Sequence, residues 1–245
     1  MKEVKKIEKH FIPGTDGVIY ANKDKFSFGI DAILLSDFVK VSKNKILVDI
    51  GAGTGIIGLR VNFLNELNKV FLIEIQQENC NLIKDTISEN NLSNVFLLNC
   101  DMNNAYDKFE NSSVDYIVSN PPYKKMNTGL LNKDRNFLIS RYEYSLKLED
   151  ILKFSYTKLK SKGKLFLIYS MERLVDVLSL SRDFKLEPKR IQFVCSSTDK
   201  KPHLFMLELV KNGLSNLFVE NTVFIYDKNG DYTDEVKEIY YGKNF

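Results

Sequence analysis

Short apolar runs alternate with longer amphipathic segments along most of the chain. Five of the runs have the length and the continuous apolar character of strands that are buried on both faces of a sheet. They lie at residues 46–50, 70–74, 95–99, 115–119 and 165–169. Segments with helical spacing separate several of them, at residues 56–67, 77–90 and 142–160. This alternation predicts an α/β fold with a doubly wound, parallel sheet.

The C-terminal third of the chain predicts a departure from this parallel order. Gly163 is expected to end the helix that precedes the fifth strand. A sixth strand is predicted at residues 190–195 and a seventh at residues 203–210. The connection between them is too short for a crossover helix, so we expect an antiparallel hairpin. The sequence therefore predicts a seven-stranded, mostly parallel sheet with an antiparallel last strand.

The domain organisation follows from what the chain lacks. No internal repeat, low-complexity tract or linker divides residues 1–245, which we interpret as a single domain. Residues 1–45 form an N-terminal extension with a turn cluster, and residues 212–245 form a tail of strand, turn and short helix.

Composition narrows the class of protein. Apolar residues make up 44% of the chain, which disfavours disorder. The 35 basic and 32 acidic residues leave a net charge of +3, too small to indicate nucleic-acid binding by itself. The three cysteines show no disulfide or zinc-ligand spacing, and no apolar run reaches the roughly 18 residues of a membrane span. We therefore expect a soluble, cytoplasmic, monomeric protein without a metal.

A glycine-rich loop follows the first predicted strand. Asp49 lies at the end of this strand, and glycines at positions 51, 53 and 55 would let the backbone approach a ligand closely. The loop lacks the spacing of a dinucleotide-binding fingerprint, and Gly58 does not restore it. By itself the loop is therefore compatible with a cofactor site or with a purely structural turn.

Acidic residues follow the next two strands. Glu74 ends the second strand, where an acid can hold a ribose diol or simply be solvated. Asp101 follows the third strand and can accept a hydrogen bond from an adenine amine or cap the next helix. Because parallel strands end at one edge of a sheet, these residues and the glycine loop are expected to lie together.

The tetrapeptide Asn120-Pro121-Pro122-Tyr123 follows the fourth strand. Prolines cannot continue a strand ladder, so the strand must stop there. The Asn side chain and the carbonyl groups in this stiff turn can grip an –NH2 group from two sides, and Tyr123 can stack on a flat ring. The alternative is a strand-ending loop without a ligand.

Two segments are rich in basic residues, at positions 124–141 and 185–201. Each is either a solvated basic face or a rim that faces phosphate groups. In the first segment the basic residues are Lys124, Lys125, Lys133, Arg135 and Arg141.

These features together resemble the class I S-adenosylmethionine-dependent methyltransferases, and within them the bacterial tRNA(Val) adenine-N6 methyltransferase family. The similarity covers nearly the whole chain. Its most specific segments are residues 26–35 and the triplet Arg141-Tyr142-Glu143, and it extends to residues 186–194 and 232–236. The segment Lys201-Pro202-His203 departs from it, since smaller residues are expected before the last strand.

The resemblance implies how the cofactor, S-adenosylmethionine, would be bound. Gly51, Gly53, Gly55 and Asp49 would hold its methionine end. The next two acids would contact its other parts, with Glu74 at the ribose hydroxyls and Asp101 at the adenine. The N-terminal block would cover the methionyl side through Phe28 and Asp31.

The resemblance also implies how the substrate would be bound. The Asn120 side chain, which also borders the cofactor, and the Pro121 carbonyl would accept hydrogen bonds from the N6 amine of an adenine in tRNA, next to the anticodon. Pro122 would stiffen the turn, and Tyr123 would stack on the base. The basic residues of segment 124–141 would contact the RNA.

Two other functions remain open. A protein-glutamine methyltransferase that acts on release factors also uses an Asn-Pro-Pro-Tyr site, because a side-chain amide presents a similar –NH2 group. Those enzymes usually carry a helical N-terminal domain, for which residues 1–45 leave little room. A non-catalytic RNA-binding protein of the same fold is the other possibility, against which the intact glycine loop and Asn120 argue.

Overall fold

The computed structural model describes residues 7–22, 28–122 and 146–242. The strands are β1 (Ile7–Phe11), β2 (Val18–Asn22), β3 (Ile46–Ile50), β4 (Lys69–Glu74), β5 (Val95–Asn99), β6 (Val114–Ser119), β7 (Leu159–Ser170), β8 (Leu186–Ser197), β9 (Leu204–Lys211), β10 (Phe218–Val219) and β11 (Val223–Tyr226). The α-helices are α1 (Ile30–Phe38), α2 (Ile56–Asn65), α3 (Gln77–Glu89), α4 (Leu148–Lys158), α5 (Leu174–Asp183) and α6 (Asp234–Tyr241). Two short 3-10 helices span Met102–Lys108 and Met171–Arg173. Across these ranges, no helix combines the length and the apolar character that a membrane crossing requires.

The main sheet has the strand order β10-β8-β9-β7-β6-β3-β4-β5, and β11 adds to β8. Strands β3 to β7 pair in parallel, whereas β9 is antiparallel to both β7 and β8. The predicted α/β class, the parallel centre and the antiparallel hairpin are therefore confirmed. In this arrangement the carboxyl ends of β6, β3, β4 and β5 lie side by side at one edge of the sheet.

The number of strands in the sheet was predicted wrongly. Among the described residues the sheet contains nine strands rather than seven, because β10 and β11 both pair in parallel with β8. The sequence indicates β11 as a strand of the tail but gives no sign of its partner. Strand β10 has only two residues, which is too short for a periodic pattern to reveal.

The prediction that Gly163 ends a helix was also wrong. Helix α4 ends at Lys158, and β7 begins at the next residue and includes Gly163. A Cβ atom on Gly163 would lie 2.9 Å from the carbonyl oxygen of Lys160 and 3.1 Å from that of Asp115. The glycine therefore permits a close approach of backbone where the register between β6 and β7 shifts.

The sheet separates two apolar layers, which explains the continuous apolar runs. In β3, Leu47 packs into the layer that includes helices α1 and α2, whereas Val48 packs into the layer that includes helix α4. In β7, Phe166 packs into the first of these layers and Leu165 into the second. Because successive side chains of a strand point to opposite faces, a strand covered on both faces is apolar at every position.

The N-terminal hairpin and the C-terminal tail both attach to the α1–α2 layer. The hairpin of β1 and β2 packs on α3, and the backbone N–H of Tyr20 donates to the hydroxyl of Thr86 at 3.0 Å. The buried guanidinium of Arg60 in α2 donates to the carbonyl oxygen of Pro13 at 2.8 Å and to that of Ile239 at 2.7 Å. One side chain thus connects the turn of the hairpin with helix α6.

Candidate active site

The glycine loop connects β3 to α2 at the carboxyl edge of the sheet. Gly51, Gly53 and Gly55 have φ angles of +69°, +60° and +85°, the left-handed region that favours glycine. The loop is anchored because the N–H groups of Gly51 and Ala52 both donate to the carbonyl oxygen of Ile73 at 3.0 Å. Apart from its two chain neighbours, no heavy atom of the described residues lies within 4 Å of the position that a Cβ on Gly53 would occupy. The loop therefore leaves open space above its centre, as a ligand-binding cradle requires.

Asp49 lies beneath this loop and is completely buried. Its Oδ2 accepts a hydrogen bond from the Gly58 N–H at 2.9 Å, whereas its Oδ1 has no hydrogen-bond partner among the described residues. Burial raises the pKa of this carboxyl from its ordinary value of 3.8 to about 7. A buried carboxylate oxygen without a donor is costly, so this oxygen fits the positively charged amine of a ligand.

Gly58 and Thr54 are residues that the sequence reasoning did not connect with the site. Besides its bond to Asp49, Gly58 packs so closely that a Cβ atom would meet Leu72 Cδ2 at 2.6 Å. The hydroxyl of Thr54 is buried and, within the described part of the chain, has no hydrogen-bond partner. Neither residue has a distinctive local signal, and the position of Gly58 is explained only by its contacts with Asp49 of β3 and Leu72 of β4.

Glu74, at the end of β4, is only 4% exposed and connects two backbone segments. Its Oε2 accepts from the Gly53 N–H at 2.8 Å, and its Oε1 accepts from the Gln76 N–H at 2.7 Å. Burial nevertheless raises the pKa of this carboxyl above its ordinary value. The solvated alternative is therefore wrong for Glu74, and its contact with a ribose stays a prediction.

Asp101 lies just beyond β5 and caps the 3-10 helix that follows. Its Oδ1 accepts from the Asn103 N–H at 2.8 Å, which confirms the capping alternative. A contact with adenine stays a prediction. The sequence did not indicate a role for Asn99, the last residue of β5. Its Nδ2 donates to the carbonyl oxygen of Glu74 at 3.1 Å, which connects the ends of β5 and β4.

Asn120 follows β6 directly and lies at the same sheet edge as the glycine loop. The neighbouring Ser119 is buried and donates from its hydroxyl to the carbonyl oxygen of Ile50 at 2.8 Å, which fixes the end of β6 against β3. The Asn120 side chain is partly buried, and its Nδ2 donates to Oδ2 of Asp31 at 3.2 Å. Asp31 lies in the first turn of α1, and Phe28 packs against the core just before that helix. The N-terminal block therefore meets the Asn-Pro-Pro turn.

The remaining predicted site residues lie outside the described residues. They are Tyr123 and the basic residues Lys124, Lys125, Lys133, Arg135 and Arg141. Pro121 and Pro122 are described, the first buried and the second partly buried. Among the described residues, no group of three or more His, Cys, Asp or Glu side chains is arranged to hold a metal ion.

The second basic segment, residues 185–201, does not form one continuous face. Much of it lies along β8, and Lys200 and Lys201 follow at the opposite end of that strand from Lys185. Arg190 is only 15% exposed, and its Nη2 lies 3.1 Å from Oε2 of the buried Glu208. Its guanidinium also lies 3.8 Å from the centre of the Phe38 ring. Arg190 is therefore part of the protein interior rather than of a rim that faces phosphates.

Comparisons with known proteins agree with this geometry. Residues 22–185 match the family model described as "Methyltransferase small domain". A protein of Parabacteroides distasonis named tRNA1(Val) (adenine(37)-N6)-methyltransferase is 26% identical over 193 residues, which cover 78% of this chain and 79% of that protein. A protein of the same name from Flavobacterium johnsoniae is 24% identical over 89% of this chain and 94% of its own length. A release factor glutamine methyltransferase of Mycoplasma mycoides is 29% identical, but over 48% of this chain and 43% of that protein.

Solved structures show the same fold at low sequence identity. A protein described as a predicted O-methyltransferase from Agrobacterium tumefaciens superposes with a TM-score of 0.69 at 16% identity, covering 87% of this chain and 96% of that one. Geranyl diphosphate C-methyltransferase from Streptomyces coelicolor, solved with S-adenosyl-L-homocysteine, superposes with a TM-score of 0.53 at 14% identity, covering 74% of this chain and 79% of that one.

Proposed function

Because the chain belongs to the methyltransferase small domain family, we propose that it transfers a methyl group from S-adenosylmethionine to the N6 amine of an adenine in tRNA, next to the anticodon. The observation that carries this proposal is the juxtaposition of Asn120 with the glycine loop at one sheet edge. The names of the relatives that cover most of the chain supply the substrate. Residues 1–245 would act as a single domain, and as a cytoplasmic monomer.

The described residues support binding of the cofactor at this edge. The Oδ1 atom of Asp49, which lacks a partner among them, would accept from the amine of the methionine end. The space above Gly53 would take the same end of the molecule, and Gly51 and Gly55 allow the left-handed backbone conformation that shapes the loop. Glu74 can accept from the ribose hydroxyls through its remaining lone pairs, and Asp101 from the adenine amine. Phe28 and Asp31 border the methionyl side. When bound, S-adenosylmethionine supplies a strongly electrophilic methyl group.

The Asn-Pro-Pro turn supports binding of the target amine. The exocyclic nitrogen of adenine is conjugated with its ring and is a weak nucleophile. Two acceptors, Oδ1 of Asn120 and the carbonyl oxygen of Pro121, would draw its hydrogens out of the ring plane. Because positive charge develops on this nitrogen during transfer, these hydrogen bonds strengthen in the transition state. Tyr123 would stack on the base, which must leave its own stack to enter the site.

The experiment that tests this proposal compares two acceptors. Purified protein is incubated with labelled S-adenosylmethionine and either a tRNA(Val) transcript or a release factor. We expect label in the RNA, recovered as N6-methyladenosine by mass spectrometry of nucleosides. Label found only in the protein acceptor would favour glutamine methylation, which the shorter Mycoplasma mycoides match makes the second candidate.

The variant Asn120→Ala tests the assignment of the catalytic amide. We expect transfer to fall by about 100-fold or more, in line with the removal of one transition-state hydrogen bond. Cofactor binding measured by calorimetry should persist, since the methionine end contacts other residues. Normal turnover in this variant would exclude Asn120 from the reaction.

A further inference from the structure

The side chains of Asp31 and Asn120 meet at the candidate site although 89 positions separate them in the chain. Nδ2 of Asn120 donates to Oδ2 of Asp31 at 3.2 Å. A carboxylate can only accept hydrogen bonds, so the NH2 half of the amide must be the half that faces it. The Oδ1 atom of Asn120 is consequently turned away from Asp31.

We propose that Asp31 is a positioning residue, which selects the one orientation of the Asn120 amide that can accept from the target amine. The inference rests on the proposed function, because only an –NH2 substrate needs an acceptor at this point. It differs from the role in covering the cofactor that the family resemblance implies for Asp31. A positioning role predicts an effect on turnover, whereas a covering role predicts an effect on cofactor affinity.

Both partners of this hydrogen bond are held by rigid elements. Helix α1 is buried over most of its length, and its Ser36 hydroxyl accepts from the buried guanidinium of Arg60 at 3.0 Å. Asp31 lies in the first turn of that helix, where the positive end of the helix dipole favours a carboxylate. On the other side, Ser119 is bonded to β3, and the following Pro121 restricts the backbone of Asn120.

The opposite amide orientation would be unfavourable twice. It would place Oδ1 of Asn120 against Oδ2 of Asp31, two acceptors without a proton between them. It would also point the NH2 group of Asn120 at the amine of the substrate, two donors facing each other. The flipped amide lacks the hydrogen bond to the charged Asp31, and this loss makes it about 10- to 100-fold less populated than the observed orientation. Asp31 therefore keeps nearly all molecules in the competent orientation.

A reciprocal exchange of the two side chains tests the inference. Four proteins are compared: the wild type, Asp31→Asn, Asn120→Asp and the double variant. Asn120→Asp alone places two carboxylates against each other, and at pH 8 their repulsion turns the side chain at position 120 away from the orientation in which its second oxygen faces the substrate. In the double variant, the amide at position 31 donates to the carboxylate at position 120, whose other oxygen again faces the substrate.

The expected pattern is non-additive. With a tRNA(Val) transcript at pH 8, kcat should fall by about 100-fold in Asn120→Asp, and adding Asp31→Asn should recover about 10-fold or more of it. Because both side chains border the cofactor, kcat is measured at saturating S-adenosylmethionine. The dissociation constant, measured by calorimetry, should not weaken in Asn120→Asp as kcat does, since an added negative charge does not repel the cationic cofactor. The side-chain amide NMR signal of Asn120 should shift in Asp31→Asn, which reports the hydrogen bond without any turnover.

The outcomes separate the two levels of the proposal. A double variant no more active than Asn120→Asp, or Asp31→Asn with weakened cofactor binding and unchanged kcat, would overturn the positioning role alone. A wild-type protein that binds the cofactor but methylates no RNA would overturn the proposed function instead.

Discussion

The buried carboxyl of Asp49 predicts that cofactor binding depends on pH near neutrality. Burial raises its pKa to about 7. If the carboxylate form accepts from the cofactor amine through Oδ1, a protonated Asp49 must first lose its proton. With a pKa of about 7, roughly nine in ten molecules are ionised at pH 8 and one in ten at pH 6. The affinity for S-adenosylmethionine should therefore fall about tenfold from pH 8 to pH 6, or about 1.4 kcal/mol.

The matched control is Asp49→Asn, which keeps the shape and removes the titration. Calorimetry between pH 6 and pH 8 should show the tenfold fall in the wild type and a flat, weaker affinity in the variant. We expect the variant to bind about 10- to 100-fold more weakly at pH 8, because a charged hydrogen-bond acceptor has been lost. A wild-type affinity that is constant over this range would refute the assignment of Asp49 to the cofactor amine.

The same carboxyl makes an independent prediction about stability. Because its pKa is higher in the folded protein than its ordinary value of 3.8, the folded state binds more protons between these values. The stabilisation is complete below pH 3.8 and is lost as the pH rises to about 7. The difference between the two pKa values corresponds to a free energy of unfolding on the order of 4 kcal/mol. Relative to Asp49→Asn, the free energy of unfolding of the ligand-free wild type should therefore decline by up to this amount between pH 4 and pH 8, measured by urea unfolding.

Three further predictions concern the loop, the interior and the RNA. Gly53→Ala should lower the free energy of unfolding by about 1–2 kcal/mol, because alanine is strained at the positive φ of this position. It should also weaken cofactor binding about tenfold or more, because the added methyl group enters the open cradle. A cofactor affinity equal to that of the wild type would contradict this. Arg190→Met should cost about 1–2 kcal/mol in urea unfolding, because its bonds to Glu208 and to the Phe38 carbonyl oxygen are lost while Lys164 still pairs with Glu208 at 2.8 Å; a loss below about 0.5 kcal/mol would show that the Arg190–Glu208 pair is dispensable. Replacing Lys124 and Lys125 by alanine should reduce the salt dependence of tRNA binding by about 1–2 in log–log slope, and an unchanged slope would locate the RNA elsewhere.

The sheet edge was predictable because strand signals are local. The runs that became β3, β4, β5 and β6 are continuous and apolar, and residues that cannot continue a strand follow them. Parallel pairing then brings their carboxyl ends together without further information. The glycine loop, Glu74 and Asn120 could therefore be assigned to one edge before their contacts were known.

Tertiary contacts account for what the sequence did not reveal. A glycine such as Gly163 can follow a helix or lie in a strand where another backbone comes close, and only its distance to Asp115 decides between the two. The charge of Arg190 suggests a solvated face, but its partner Glu208 lies on the adjacent strand β9. The bond between Asp31 and Asn120 likewise joins segments that have no common local pattern.

The structure also distinguishes Asp49 from Glu74, two acids at strand ends that have the same sequence context. Both oxygens of Glu74 accept backbone hydrogen bonds, so the fold itself accounts for an acid at this position. Asp49 has one oxygen that the fold satisfies, through Gly58, and one that has no partner among the described residues. A fold that needed only the first bond would be served equally well by an uncharged side chain, without the cost of a buried charge. The carboxylate of Asp49 is therefore stronger evidence for a cationic ligand group than the carboxylate of Glu74 is for a ribose.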